Sequence, residues 1–330
     1  MKFIPLEETF SWGRTSHLIA DLGYLDSILK EGWLAGNSIG ELMDMYVDRI
    51  SGEKAFGFYG RQFPVCVRIV DAKGRMPLMV HPDDETAGPR FDFLGKSKLW
   101  YVLSAGPSGR VSYGFSADAD ASVVYPSCID GSVYGMLNNI PVKAGDSFHI
   151  LPGTVHSAEN VVLLEICESS PLDFILCDWG RGETDPDNDS LGLVEALDLI
   201  DYRAARKPVP SDAAFLADSD EISVRRMNLD FPLHVDREDD CFVVYCCVSG
   251  SASVQVAAES GIVQSELKSG EAVLVPAEVE SLELVPHSDG TVLLEAYVRK
   301  GAGEDAYIDP EADDTPEDGE FSQDDENYLD

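Results

Sequence analysis

The chain has 330 residues, a length typical of two domains of about 100–200 residues each, or of one large domain. Hydrophobic residues make up 44% of the sequence, which is enough for a substantial core. Asp and Glu outnumber Lys and Arg by 60 to 24, so the formal net charge is −36. A surface of this charge repels phosphate backbones and anionic lipid headgroups, which argues against binding to nucleic acid or to a membrane surface.

The seven cysteines form no CxxC motif and no Cys/His cluster. Their odd number, and the position of five of them in apolar runs, are typical of reduced thiols rather than of a disulfide framework. The N-terminus lacks the apolar segment of a signal peptide, and no apolar run reaches the ~20 residues that a membrane span requires. The sequence therefore predicts a cytoplasmic protein.

A helix is predicted over residues 38–50, because Ser38 and Glu41 form a capping-box pattern ahead of apolar residues at helical spacing. The chain then becomes rich in short β-type runs separated by Gly, Pro and Asp. The predicted strands of this part cover residues 63–70, 77–81, 99–103, 147–151 and 161–167. Their spacing is typical of a sandwich or a barrel.

A second helix is predicted over residues 191–200, between an acidic loop and a Pro-containing segment. A second series of strands follows, at residues 241–248, 252–257, 272–275, 282–285 and 292–298. Both β-rich parts contain a Gly-acidic turn, a short strand and then Pro, at residues 143–152 and 268–276. This internal similarity argues for two copies of one small barrel.

Three motifs carry the most information: VHPDDE at residues 80–85, GKSKLWY at 95–101 and GDSFHILPGTVH at 145–156. Together they resemble the class I (type I) mannose-6-phosphate isomerases, in the short bacterial form built on cupin barrels. Residues 63–72, 178–181 and 193–201 extend the resemblance. It covers residues 60–200 well and residues 215–299 in outline.

The resemblance implies a mainly β fold with two cupin-like (jelly-roll) barrels and a few connecting helices. We expect an N-terminal cupin-like domain at residues 1–180 that carries the site motifs, a helical connector at 181–215 and a C-terminal cupin-like domain at 216–299. Residues 300–330 are predicted to form an acidic, disordered tail, since residues 301–330 hold 13 Asp/Glu and neither Lys nor Arg.

The resemblance also implies an aldose–ketose isomerisation between mannose 6-phosphate and fructose 6-phosphate, assisted by zinc. Such a zinc ion needs three or four N or O ligands and an open position. Two of the ligand positions that the resemblance implies fall on His81 and His156, but the Gln position falls on Met79 and the Glu position on Lys98. A thioether is a soft, neutral ligand, and Lys brings a positive charge to a cation site. A catalytic Arg position of the family falls on Ile175.

These replacements leave three hypotheses open. In the first, the chain is a non-catalytic or altered relative that binds a hexose 6-phosphate or a partner, with Lys96 as a substrate-binding residue. In the second, it is an active zinc-dependent isomerase with an altered metal shell that includes His81 and His156. In the third, it is a metal-independent isomerase or epimerase in which Lys98 supplies the positive charge and His149 or His81 acts as the base. The replacements favour the first.

Overall fold

The computed structural model describes residues 1–181, 192–206, 208, 212–237, 240–258 and 261–300. The predicted acidic tail, apart from Lys300, lies outside the described residues, as does most of the first half of the predicted connector. In the described residues the chain is mainly β, with eighteen strands and six α-helices. The prediction of a mainly β protein is confirmed.

The N-terminal part of the chain, before Phe215, contains nine strands and all six α-helices of the described residues. Its strands are β1 (Leu6–Phe10), β2 (Gly13–Ile19), β3 (Val65–Arg75), β4 (Leu78–Val80), β5 (Lys98–Phe115), β6 (Leu137–Pro141), β7 (Ser147–Ile150), β8 (His156–Glu168) and β9 (Phe174–Cys177). The helices are α1 (Ile39–Tyr46), α2 (Asp48–Ser51), α3 (Glu53–Tyr59), α4 (Asp84–Phe91), α5 (Ala121–Asp130) and α6 (Leu193–Leu197), and a 3₁₀ turn covers Ser132–Met136.

The nine strands form one antiparallel sheet in the order β1-β2-β3-β8-β4-β9, and β5 pairs with β6, β7 and β8. The two longest strands, β5 and β8, pair from Lys98↔Cys167 to Tyr113↔His156, with irregularities that bend the sheet. Because side chains alternate along a strand, each of β3, β5 and β8 presents one inner and one outer face. The inner face holds the candidate site described below.

The C-terminal part is a sandwich of two antiparallel sheets. Its strands are β10 (Phe215–Asp218), β11 (Ser223–Leu229), β12 (Leu233–Asp236), β13 (Val243–Ser249), β14 (Ser251–Ala258), β15 (Gly261–Lys268), β16 (Ala272–Val275), β17 (Ser281–Pro286) and β18 (Thr291–Tyr297). One sheet has the order β10-β11-β18-β13-β16 and the other β12-β17-β14-β15. Side chains from both sheets, such as Leu293 and Leu284, share one buried core.

The largest core joins the two parts. The outer faces of β3, β5 and β8 contribute Val67, Leu99 and Ile166, which are buried together with Val244 and Leu294 of the C-terminal sandwich. Burial of this apolar surface holds the N-terminal sheet against the five-stranded sheet of the sandwich. The outer face of the N-terminal sheet is therefore packed against the sandwich, and the inner face lies on the opposite side of the same strands.

The predicted helix over residues 38–50 is present as two helices. Ser38 Oγ accepts a hydrogen bond from Glu41 N at 3.2 Å, and Glu41 Oε2 accepts one from Ser38 N at 2.8 Å, so the predicted capping box is observed. Helix α1 ends at Val47, whose φ of 48° interrupts the helical path, and α2 begins at Asp48. The break turns the chain so that Leu42 and Ile50 are both buried in the joint core.

Every predicted strand overlaps a strand of the structure, whereas several strands and helices were not predicted. The unpredicted strands include β1, β2, β6, β9 and β15, and β5 continues far beyond its predicted end. The helix predicted over residues 191–200 is observed as the shorter helix α6, which covers Leu193–Leu197. Within the part of the chain that the structure describes, no helix is long and apolar enough to cross a membrane.

Gly95 allows a close approach of two chain segments next to the candidate site. A Cβ at this position would lie 2.5 Å from the carbonyl carbon of Asp83 and 2.6 Å from the backbone nitrogen of Asp84. Gly95 N also donates a hydrogen bond to Asp84 Oδ1 at 2.7 Å. This contact fixes the start of the segment that leads into Lys96 and β5.

Gly95→Ala is expected to lower the free energy of unfolding by about 1–3 kcal/mol, because the new methyl group would overlap backbone atoms that cannot rotate away. Gly135→Ala is the matched control, since a Cβ there has no atom within 4 Å; its effect should stay within about 0.5 kcal/mol. Urea denaturation of the three proteins measures both values. Equal stability of the two variants would contradict the close approach.

Candidate functional site

A buried carboxylate lies at the centre of the inner face. The register aligns Arg68 of β3, Glu165 of β8 and Trp100 of β5 in one row. Arg68 Nε donates to Glu165 Oε1 at 2.7 Å, and Trp100 Nε1 donates to Glu165 Oε2 at 2.5 Å. Glu165 is completely buried. Burial would raise the pKa of its carboxyl group, but the charges of Arg68 and Lys98 hold that pKa well below its usual range.

Lys98 is the second cation on this carboxylate. It begins β5 and shares the inner face with Trp100, since the two residues are two positions apart. Its Nζ lies 3.5 Å from Glu165 Oε2 and 5.9 Å from the centroid of the Trp100 ring. Lys98 is completely buried. Burial lowers the pKa of its ammonium group, and the neighbouring Glu165 opposes that shift.

Two histidines meet beside this ion-pair cluster. His81 follows β4 and His156 begins β8, and their Nε2 atoms are 3.1 Å apart. Each Nδ1 lies close to a carbonyl oxygen, at 2.9 Å from Leu172 O for His81 and 2.8 Å from Thr154 O for His156. Both Nδ1 atoms therefore carry the proton, and both Nε2 lone pairs point at each other.

Both imidazoles are neutral at physiological pH. Burial, followed by the charge of Lys98, lowers the pKa of His156 to about 3 and the pKa of His81 well below its usual range. Two lone pairs at this distance repel each other, so the pair favours a cation or a hydrogen-bond donor nearby. The separation of 3.1 Å is close to the roughly 3.3 Å between two nitrogens of a tetrahedral zinc site.

The apolar replacements lie next to this pair. Met79 of β4 is aligned with His156 of β8 on one side and with Ile175 of β9 on the other. Met79 and Ile175 pack in the same apolar cluster as Trp100. The structure therefore brings Met79, Ile175, His81, His156 and Lys98 into one region, although they are far apart in the sequence.

Lys96 is already paired within the site. Its Nζ donates to Asp173 Oδ1 at 2.8 Å, and the same oxygen lies 3.4 Å from His81 Nδ1. Lys96 is buried, whereas the Asp173 side chain is 35% exposed. Burial would raise the pKa of Asp173, but Lys96 and His81 hold that pKa well below its usual range. Asp173 thus links the buried cluster to the surface.

The structure places His149, the other predicted candidate base, opposite Leu99 rather than beside Lys98. It pairs with Leu99, on the outer face of β5, while its neighbours Phe148 and Ile150 face the inner side. Its Nε2 lies 3.2 Å from Ser97 Oγ. Strand alternation explains the difference, because Leu99 and Lys98 are adjacent and therefore point to opposite faces. His81 is the candidate base that lies near Lys98.

Three charged residues of the site were not predicted: Arg68, Glu165 and Asp173. Arg68 and Glu165 are single charges inside the apolar runs FPVCVRIV and VVLLEIC. A charged residue inside such a run indicates a buried pair, because burial of an unpaired charge is costly. The sequence alone does not give the strand register that pairs them.

The residues present do not fit the zinc site of the resemblance. In the described ranges, no group of three or more His, Cys, Asp or Glu side chains could hold a metal ion. His81 and His156 supply two nitrogens, and a catalytic zinc needs at least three protein ligands. The nearby carboxylates Glu165 and Asp173 are committed to Arg68 and Lys96.

The site also has an excess of positive charge. Arg68, Lys96 and Lys98 face two carboxylates, Glu165 and Asp173.

Comparison with known proteins identifies relatives along most of the chain. No protein-family model matches the sequence. The mannose-6-phosphate isomerase of Streptococcus mutans is 23% identical over 263 residues, which are 77% of this chain and 80% of that protein. The mannose-6-phosphate isomerase ManA of Bacillus subtilis is 26% identical over 221 residues, which are 60% of this chain and 67% of that protein.

Solved structures agree in fold. A mannose 6-phosphate isomerase from Bacillus subtilis has a TM-score of 0.73 and 19% identity, and the match covers 90% of this chain and 99% of that one. A putative mannosephosphate isomerase from Archaeoglobus fulgidus has the same TM-score, 0.73, with 18% identity and 91% and 98% coverage. The chain is therefore similar to mannose-6-phosphate isomerases in sequence and in fold. These structural matches confirm the predicted cupin-like fold.

Zinc occurs among the structural neighbours. A zinc-bound mannose 6-phosphate isomerase matches with a TM-score of 0.67 and 13% identity over 90% of this chain. The expectation that zinc is the metal of these relatives is thus supported. The two non-ligand replacements, Met79 and Lys98, distinguish the present site from the ligand pattern that the sequence resemblance implies.

Glu165→Gln is expected to lower the free energy of unfolding by about 3–5 kcal/mol, because it leaves Arg68 and Lys98 buried without their carboxylate. Glu159→Gln is the matched control in the same strand. Glu159 pairs with Arg75, whose side chain is 33% exposed, so its loss should cost no more than about 1 kcal/mol. Denaturant titration measures both, and a Glu165→Gln cost as small as that of the control would refute the central role of this carboxylate.

Proposed function

We propose that this protein is a mannose-6-phosphate-isomerase-like protein that binds a hexose 6-phosphate in the N-terminal barrel and does not perform zinc-dependent isomerisation. The observation that carries the proposal is the buried Lys98 ammonium group, which lies in the ion-pair cluster beside His81 and His156. The sequence resemblance predicts a carboxylate ligand at this position.

The charge of Lys98 acts directly on the two histidines. Among the charged groups, it makes the largest contribution to the lowered pKa values of His81 and His156. A field that disfavours a proton at the Nε2 atoms disfavours a divalent cation there more strongly, since the Coulomb energy is proportional to charge. The change from carboxylate to ammonium therefore opposes zinc twice, by removing a ligand and by adding repulsion.

The same arrangement suits an anionic sugar. The unshared Nε2 lone pairs of His81 and His156 accept hydrogen bonds from hydroxyl groups. The positive excess of Arg68, Lys96 and Lys98 attracts a phosphate group. A phosphorylated polyol supplies both kinds of group in one molecule. Entry would occur at Asp173, where the cluster reaches the surface.

A metal-independent isomerase or epimerase is the second candidate function. Burial lowers the pKa of Lys98, which brings its ammonium group closer to the range in which it exchanges protons. The neutral His81 provides an acceptor nitrogen in the same region. In such an isomerase, Lys98 would stabilise negative charge on the sugar oxygen, and His81 would accept the proton from one carbon atom and return it to the next.

We propose that residues 1–180 form the ligand-binding cupin-like domain and residues 216–299 a second cupin-like domain, joined by the connector at 181–215. The seven cysteines are all free thiols in the described structure, which supports a cytoplasmic protein.

The test is a coupled assay of mannose 6-phosphate conversion to fructose 6-phosphate, with and without added zinc. We expect no zinc-dependent turnover from the wild-type protein, because Lys98 excludes the metal. We expect mannose 6-phosphate to raise the melting temperature of the same preparation, since ligand binding stabilises the folded state. Turnover without zinc would instead support the metal-independent reaction.

A restored variant provides the matched comparison. Met79→Gln, Lys98→Glu and Ile175→Arg together return the residues that the resemblance predicts, and zinc titration calorimetry should then show binding at least tenfold tighter than in the wild type. Lys98→Met removes the charge without adding a ligand and should give a smaller gain. Stoichiometric zinc in the wild type, with zinc-dependent turnover, would overturn the proposal.

A further inference from the structure

A pair of cysteines lies on the inner face beside the ion-pair cluster. Cys66 of β3 and Cys167 of β8 are direct register partners, two positions along the strands from Arg68 and Glu165 and on the same face of the sheet. Both thiols are buried, and they pack with Ala20 and Leu22. The apolar strand runs around them gave no indication that they would meet across the sheet.

The backbone places the two thiols within bonding reach. Directly opposed residues of antiparallel strands have Cα atoms about 4.5–5.5 Å apart. A disulfide requires a Cα separation of about 4.4–6.8 Å. The backbone separation of this register pair is therefore compatible with a disulfide between Cys66 and Cys167.

A histidine–carboxylate pair adjoins one of the thiols. His17 Nδ1 lies 4.0 Å from Cys66 Sγ, and His17 Nε2 lies 2.6 Å from Glu8 Oε2. Glu8 orients the imidazole and favours its protonated form, which in turn stabilises a thiolate. The Glu8 side chain is 34% exposed, so this chain of contacts reaches from solvent to the buried sulfur.

We propose that Cys66 and Cys167 form a peroxide-oxidisable dithiol, with Cys66 as the reacting thiolate and Cys167 as the resolving thiol. The proposal is independent of the sugar phosphate ligand and of the metal. It assigns a function to the residues Glu8, His17, Cys66 and Cys167, which the candidate site does not use.

The oxidant is hydrogen peroxide, a two-electron acceptor. The Cys66 thiolate attacks one peroxide oxygen, the O–O bond breaks, and the leaving hydroxide takes a proton to become water, which leaves a sulfenic acid on Cys66. The Cys167 sulfur then attacks the Cys66 sulfur, the S–O bond breaks, and the hydroxyl group leaves as water with the Cys167 proton. In sum, two thiols and one peroxide give one disulfide and two waters.

The electrostatics of the two thiols support their different roles. The hydrogen bond from Cys167, followed by that from His17, lowers the pKa of Cys66 to about 5 against the effect of burial. The same hydrogen bond and burial raise the pKa of Cys167. Burial raises the pKa of other thiols, to about 12 for Cys128 and about 11 for Cys247, so those groups remain protonated.

The test is native-state oxidation followed by peptide mapping. The intact protein is treated with hydrogen peroxide, unreacted thiols are alkylated, and the digest is analysed by mass spectrometry. We expect one cross-linked product that joins the peptides of Cys66 and Cys167, with a loss of two hydrogens. In Cys167→Ser, dimedone should instead label Cys66, because the sulfenic acid has no resolving thiol.

His17→Gln provides a graded control, and His234→Gln, at an exposed position, is its matched comparison. The rate of disulfide formation should fall at least tenfold in His17→Gln and stay unchanged in His234→Gln. Circular dichroism establishes that each variant is folded. Absence of the cross-link in folded wild-type protein would overturn the proposal, as would preferential oxidation of any of the other five cysteines.

Discussion

The ion pairs of Glu165 with Arg68 and Lys98 are the interactions on which the rest of the barrel interior depends. Three ionised side chains inside a strand layer would oppose folding if any one of them lacked a partner. Arg68 and Trp100 satisfy the two oxygens of Glu165 by hydrogen bonds of 2.7 and 2.5 Å, and Lys98 completes the cluster at 3.5 Å. The positions of β3, β5 and β8 are therefore coupled through one carboxylate.

This arrangement determines the electrostatics of the neighbouring site. In a zinc enzyme the metal supplies the positive charge that draws electron density from the sugar oxygens. Here the positive charge belongs to the polypeptide, in Lys98, Arg68 and Lys96, and is fixed by hydrogen bonds to Glu165 and Asp173. His81 and His156 keep the mutual geometry of a ligand pair, yet the charge beside them keeps both imidazoles neutral.

The sequence predicted the mainly β fold, the capping box at Ser38 and most core strands, because alternation, β-branched content and turn residues are local signals. It did not predict that Val47 splits the first helix, because a φ of 48° is uncommon for a β-branched residue and the local pattern gives no sign of it. The resemblance carried by the motifs placed His81, His156 and Lys98 at the ligand positions of one site. The pairing of Arg68 with Glu165, and the outer-face position of His149, depend on strand register, which short apolar runs do not specify.

If Lys98 holds the charge that a metal ion would otherwise hold beside His81 and His156, zinc does not bind between these histidines. X-ray diffraction at the zinc absorption edge, from crystals grown with excess zinc, measures this. We expect no anomalous peak between the two Nε2 atoms and an ammonium group within ion-pair distance of Glu165. A fully occupied zinc peak bonded to both Nε2 atoms would contradict it.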